Sequence, residues 1–409
     1  MTSPAAPAAP ARRARVAVSA LFLTNGALFA NILPRYPEIK EALGLDNVAY
    51  GVAVAAFPAG AIVAGLAAAP LMRRGGSARI AVIGTIITGL SLLAAGVSPT
   101  GILFAVALFV GGASDAITDV AQNAHGLRVQ RQYRRSIINS FHAIWSIGAV
   151  LGGAMAASAI ALRIPLGIHL GISTLVFAVV AVTALRFCLP GPDVDIAPDA
   201  HADNFEPHEK QRPTVSARLV WMLAALTLVA MAGAVAEDAG NSWATLYLSD
   251  SLGAASAIAP VGFIALVGAQ FIGRLLGDGM TDRLGQRAVA RIGGIIAAIG
   301  MGLALAFPSV LGTILGFAAV GFGIATLIPA AMHAADELPG LRPGVGLTIV
   351  SWLLRLGFLL SPPFVGFIAE TQGLRAGLLV VPVAGIVAAV FAGALAPRSA
   401  SRNNERSSD

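Results

Sequence analysis

GRLLGDGMTDRLGQR, from Gly273 to Arg287, joins the end of one long apolar run to the start of the next. Half a chain earlier, Met72-Arg73-Arg74-Gly75 occupies the same kind of junction, and an offset of 210 sets it against Asp282-Arg283-Leu284-Gly285. Near that offset Val110-Gly111 matches Val320-Gly321 and Asn31 matches Asn241, while Gly148 matches Gly357 at 209. A near-constant offset over four places is the mark of a duplicated chain.

Composition says what was duplicated. The chain has 409 residues, 56% of them hydrophobic and 12% charged, with mean hydropathy +0.79. A soluble domain carries about 25% charged residues. A bilayer core about 30 Å thick needs roughly 20 apolar residues per helix. Twelve such runs are found, centred near residues 26, 60, 88, 113, 148, 176, 233, 268, 298, 321, 357 and 385. The expected fold is all-α and integral to the membrane, with twelve transmembrane helices in two pseudo-symmetric halves of six. The expected divisions are an N-terminal tail over 1–15, halves over 16–189 and 217–397, a linker over 190–216, and a C-terminal tail over 398–409. The linker stretch is rich in Pro, Asp and Glu and holds His201 and His208. Its irregular spacing fits a solvated segment better than a metal site.

The net charge of +6 does not point to nucleic acid, because of where the arginines stand. Arg12, Arg13, Arg15, Arg73, Arg74, Arg79, Arg128, Arg131, Arg134, Arg135, Arg283, Arg287, Arg291, Arg398, Arg402 and Arg406 fall on one side if the helices alternate. Only Arg35, Lys40, Arg163 and Arg375 fall on the other. This is the positive-inside bias, which places both termini in the cytoplasm of a cell whose inner (plasma) membrane the chain crosses. The first 33 residues imitate a signal peptide, but eleven further runs make them an uncleaved first helix. Cys188 is the only cysteine, so no disulfide forms within the chain.

The loop 273–287 resembles the signature of the major facilitator superfamily, which recurs between its helices 2 and 3 and between 8 and 9. DVAQNAH (119–125), SFHAIWSIG (140–148), Glu237 with Trp243 and Tyr247-Leu248, and LGFLLSPPFVG (356–366) are similar to a bacterial branch related to fucose-type permeases. The resemblance implies a secondary transporter working by alternating access. It also gives the loop residues Arg274, Asp278, Asp282, Arg283, Gly285 and Arg287 a gating role. Asp282 is expected to face the amide end of the fifth helix, near Ser136, where the helix dipole favours an anion. Arg274 and Asp278 are four apart and suited to pair along one helix. With Met72 opposite Asp282 in the alignment, the first half is expected to lack the acidic latch, and Met72→Asp to add one.

Polar residues inside the runs are the candidates for mechanism, since charge in hydrocarbon is costly and marks a partner helix or a wet cavity. In the fourth run Asp115, Asp119, Gln122 and Asn123 share a face; Asp119 suits a proton carrier, or a structural partner of His142 or an arginine. The fifth run offers Asn139, His142 and Trp145, and His142 suits a relay or a packing role. In the seventh run Glu237 and Asn241 are one turn apart beside Asp238; Glu237 suits a second titrating, proton-coupling group or a solute ligand, and Trp243 and Tyr247 suit cavity residues or interfacial anchors. Arg355, near the middle of the eleventh run, is expected to pair with Glu237, Asp238 or an acid of the fourth run, or to hold an anionic solute. Asn25 and Gln270 complete the cavity candidates, and Pro329, Pro362 and Pro363 are expected to bend their helices.

No phosphate-binding loop, zinc spacing or nucleophile–base set appears, so neither an enzyme nor an ATP-driven pump is expected. The expected partners are a small-molecule solute, protons and membrane lipid, with no cofactor, no metal and a monomeric chain. Drug–proton antiporters of the superfamily carry Gly-Pro in helix 5 and arginine in helix 4. Here the fifth run reads GAVLGG (148–153) and the fourth carries acids. Proton-coupled symport of a small polar solute is therefore expected, with efflux of a drug or natural product, or a non-transporting receptor, as the other readings.

Overall fold

The computed structural model describes residues 9–133, 137–191, 216–341 and 344–395. Among them are twelve helices long and apolar enough to cross a membrane: α1 Ala9–Ala42, α2 Asn47–Gly75, α3 Ser77–Gly96, α4 Gly101–Tyr133, α5 Ser140–Ala161, α6 Leu166–Leu185, α7 Ala217–Ser251, α8 Val261–Leu284, α9 Gln286–Ala306, α10 Val310–Asp336, α11 Val345–Gln372 and α12 Leu374–Ala394. Each contains one of the expected run centres, and no strand occurs among the described residues. A helix satisfies its own backbone in lipid, which is why an apolar chain of this length takes no other form. Large apolar side chains such as Ile102, Leu162 and Phe307 point outward at 73–78% exposure, as a lipid-facing surface requires.

The chain clusters into two units. The first holds residues 1–45 and 56–212; the second holds 213–409 together with 46–55. The start of α2 thus packs with the second unit. The Tyr50 hydroxyl donates to the Ser242 carbonyl at 2.7 Å, its ring stands edge-on to Trp243 at 4.9 Å, and the Asn47 amide donates to Glu370 at 2.9 Å. The helix of α1 begins at Ala9, so Arg12, Arg13 and Arg15 lie on it rather than in a tail. Alanine and arginine both favour helix, and the guanidinium of Arg15 rests 5.4 Å over the Tyr133 ring. His201, His208, Ser136 and the arginines from 398 onward lie outside the described residues.

Internal contacts correct the register of the repeat from 210 to 209. Gly285 ends α8 at φ 83, ψ 153, and its amide bonds to the Thr281 carbonyl at 2.8 Å. The residue doing the same in the first unit is Gly76, not Gly75, at φ 77, ψ 145, with its amide on the Met72 carbonyl at 2.8 Å. A Cβ is disfavoured in that conformation, which is why glycine stands there. The helix pairs agree: Gly112 of α4 meets the Phe57 carbonyl of α2, and Gly321 of α10 meets the Leu266 carbonyl of α8. In this register the counterpart of Asp282 is Arg73, and both are exposed. Met72 is instead the counterpart of Thr281. It lies 4% exposed in a core with Leu21, Ala81 and Ala121, so an acid there would be buried, not presented as a latch.

Pro362 and Pro363 lie inside the unbroken helix Val345–Gln372. Pro329 follows a break in α10, whose helix stops at Ile324 and restarts at Leu327. There its missing N–H falls among the amides that a helix start leaves unpaired.

Candidate functional site

In the first unit, α1, α4 and α5 bring six of the expected residues into hydrogen-bond contact. Asn25 of α1 donates through Nδ2 to Asp115 Oδ1 at 2.6 Å and accepts from Trp145 Nε1 at 2.7 Å. Both ends of the amide are spent, which fixes its orientation. One turn along α4, Asn123 Nδ2 donates to Asp119 Oδ1 at 3.0 Å, and Asn123 Oδ1 lies 3.1 Å from His142 Nε2. Asn123 Nδ2 also reaches the Asp119 carbonyl. With Nδ2 turned to Asp119, Oδ1 receives the imidazole N–H. Close packing of α1 on α5 allows this: Gly148 sits against the Leu23 carbonyl and Gly26 against the Trp145 carbonyl, with no room for a Cβ. Gln122, also on α4, turns away and donates to the Leu21 carbonyl at 3.0 Å, a tie between helices rather than a site residue. The two carboxylates are thus held on successive turns, Asp115 half-buried and Asp119 exposed.

The second unit gathers a separate set. Gln270 of α8 donates to Glu237 of α7 at 2.8 Å, and Arg274 stands 4.0 Å from the same carboxylate. Asp278, the partner expected for Arg274 along the same helix, is exposed. Asp238 is buried beside the hydroxyls of Ser242 and Ser361. The expected ion pair of Arg355 with Glu237 or Asp238 does not form: Glu237 is turned to α8, and Asp238 to the serines. Trp243 and Tyr247 are 0% and 1% exposed, so they are not interfacial anchors. Asp238 Oδ2, Asn241 Oδ1, Trp243 Nε1 and Tyr247 Oη are buried along α7 with no hydrogen-bond partner among the described residues. Unpaired polar atoms at this density are costly in a protein interior.

The loop residues divide. Asp282 and Arg283 are exposed, Gly285 ends α8, and Arg287 is tied within its own unit, its Nε donating to the Leu395 carbonyl at 3.1 Å. A cation on the last carbonyls of a helix complements its dipole, so Arg287 anchors the end of α12. The position expected opposite Asp282, Ser136, lies outside the described residues.

Two polar clusters escaped the sequence reading. Asn31 of α1 accepts from Ser173 at 3.1 Å and meets His169 Nε2 at 2.8 Å. His125 accepts the Leu189 amide on Nε2 at 3.2 Å and stands 2.9 Å from Ser77 Oγ. An accepting Nε2 means a neutral ring with its proton on Nδ1, directed to Ser77. The available signal was a histidine in an apolar run, but sequence spacing does not say which distant helix supplies its partner.

Twelve spanning helices in two units with matching internal contacts define a duplicated multi-pass membrane protein. The family model for the Major Facilitator Superfamily matches residues 18–279, and the chain belongs to that superfamily of transporters. It is 29% identical to the "uncharacterized transporter y4wD" of Sinorhizobium fredii, over 92% of this chain and 96% of the relative. It is 27% identical to the membrane protein MosC of Rhizobium meliloti, over 91% and 88%. The cis,cis-muconate transport protein of Acinetobacter baylyi is 22% identical, over 90% and 91%. Among solved structures, a D-xylose–proton symporter superposes with TM-score 0.69 at 15% identity, covering 95% of this chain and 98% of that one. FucP in its outward conformation gives 0.60 at 17% identity, covering 93% and 97%. The last two likenesses are of fold.

Proposed function

We propose that the protein carries a small polar organic solute into the cell together with a proton, by alternating access across the cytoplasmic membrane, with both termini in the cytoplasm. The observation that carries this reading is the hydrogen-bonded set of Asp115, Asn25 and Trp145 beside Asp119, Asn123 and His142. Two ionisable acids of α4 and an imidazole of α5 lie inside the span, tied to α1 through Asn25. Such groups are expensive in lipid and are kept where a proton or solute passes. The Asn25 amide holds one oxygen of Asp115 and leaves the other to take up and release a proton. His142, through Asn123, provides a second titratable group next to Asp119. Glu237, Gln270, Asn241 and Asp238 of the second unit supply the polar contacts suited to a solute. The D-xylose–proton symporter and the muconate transport protein, by their names, are consistent with this class.

The test is flux into proteoliposomes under an imposed pH gradient, using solutes first selected by their stabilisation of the purified protein. Uptake driven by an acidic exterior, and lost in Asp115→Asn or Asp119→Asn, is the expected result. Movement in the opposite direction against an entering proton would establish efflux, and binding without movement would establish a receptor.

A further inference from the structure

Arg355 is the eleventh residue of the twenty-eight in Val345–Gln372. At a rise of 1.5 Å per residue it stands about 15 Å from the helix start, within the apolar span. The side chains of α11 fall into three strips. Val350, Leu354, Gly357, Ser361 and Val365 are buried. Leu353, Leu356, Leu360, Phe364 and Phe367 form an exposed apolar strip of the kind that meets lipid.

Arg355 lies on the third strip. Thr348 and Ser351 precede it by seven and four residues, and Pro362 and Gly366 follow by seven and eleven, spacings that return to one side of a helix. Further along, this strip is covered by protein: a Cβ on Gly366 would strike the Asn47 carbonyl, and one on Gly51 would strike the Pro362 carbonyl. Asn47 and Gly51 belong to the same unit as α11. The strip is therefore not a lipid face, and Arg355 occupies its half-buried part. Within the second unit it has no hydrogen-bond or ion-pair partner among the described residues, while Glu237 of α7 meets Gln270 and Arg274 and Asp238 lies beside the hydroxyls of Ser242 and Ser361.

A guanidinium held inside a membrane protein is expensive unless paired. Its rigid planar fork matches the two oxygens of a carboxylate. We propose that Arg355 anchors a carboxylate of the transported solute, so that the cargo is an organic acid or a zwitterion bearing a carboxylate. Ser351, one turn away on the same strip, offers a neutral hydrogen bond beside the charge. This assignment rests on the reading of the chain as a solute transporter.

Thermal unfolding of the detergent-solubilised full-length protein tests it, with benzoate, succinate and cis,cis-muconate each set beside its neutral amide, and with inorganic phosphate. At least one carboxylate raises the melting temperature of the wild type while its amide does not. In Arg355→Gln that shift disappears, with affinity lower by about tenfold to a hundredfold; in Arg355→Lys a reduced shift remains. Without ligand, Arg355→Gln melts at or above the wild type, because it removes an unpaired charge. The proposal is overturned if amides or phosphate stabilise as well as the carboxylates, if the variant keeps the shift, if no carboxylate stabilises, or if the ligand-free variant melts lower. Flux then separates the two claims. A carboxylate that binds through Arg355 but never crosses the proteoliposome membrane leaves the site standing and removes the transport reading. A neutral solute that crosses while no carboxylate binds does the reverse.

Discussion

Asn25 shows how much one side chain holds in place. Its amide joins α1 to α4 and α5 through Asp115 and Trp145, so Asn25→Ala leaves a carboxylate oxygen and an indole N–H without partners. Losing partners in this way costs about 1–3 kcal/mol, and a lower melting temperature of the purified variant checks it; an unchanged value would show the pair to be solvated. Cys188 gives a second prediction, with its sign fixed by burial. It packs against the core of the first unit just beyond α6, and burial pushes its thiol up to about 11. The thiolate is the reactive form, so alkylation of the folded protein is slow at pH 7 and accelerates only as pH climbs toward 11. Rapid labelling at neutral pH would contradict the burial. The polar residues of the fourth, fifth and seventh runs were legible as a set because charge inside an apolar run is conspicuous. Their pairing was not. Arg355 was expected to meet Glu237, yet Glu237 turns to Gln270, because the rotation of neighbouring helices about their axes leaves no periodic trace in either sequence.

At the scale of elements, the twelve helices were plain in the runs, since lipid leaves the backbone almost no other way to satisfy its hydrogen bonds. The repeat was visible too, but its register was off by one. Two adjacent glycines, Gly75 and Gly76, made the alignment ambiguous, and only the positive φ of Gly76 resolves which of them matches Gly285. That shift changes the prediction for the loop. Met72→Asp buries a carboxylate in the first unit and should lower stability by on the order of 3 kcal/mol or more. Arg73→Asp places the acid on the exposed surface and should leave the stability within about 0.5 kcal/mol of the wild type. Comparing the two variants by thermal unfolding checks the register directly; equal destabilisation would restore the offset of 210. For Asp282, the expected dipole contact makes Asp282→Asn shift the balance between the two faces. Cysteine-scanning accessibility reads that shift, and unchanged labelling of both faces would reduce the loop to a structural turn.

The whole molecule is a duplicated scaffold whose two units carry different polar groups. The first holds two acids and an imidazole, the set proposed to pass a proton. The second holds Glu237 with Gln270 and Arg274, the buried Asp238, and Arg355, the set proposed to hold a solute. The family shared by the chain and its relatives sets the class of activity, and the side chains inside the spans set what is coupled to what. Proton coupling is the claim on which the rest depends. The most direct measurement is lumenal acidification in proteoliposomes loaded with a pH-sensitive dye, recorded when a stabilising solute is added outside, for the wild type and for Asp115→Asn and Asp119→Asn. The account predicts solute-dependent acidification by the wild type that is lost in at least one of the two variants. Solute accumulation with no proton movement, or acidification unchanged in both variants, would contradict it.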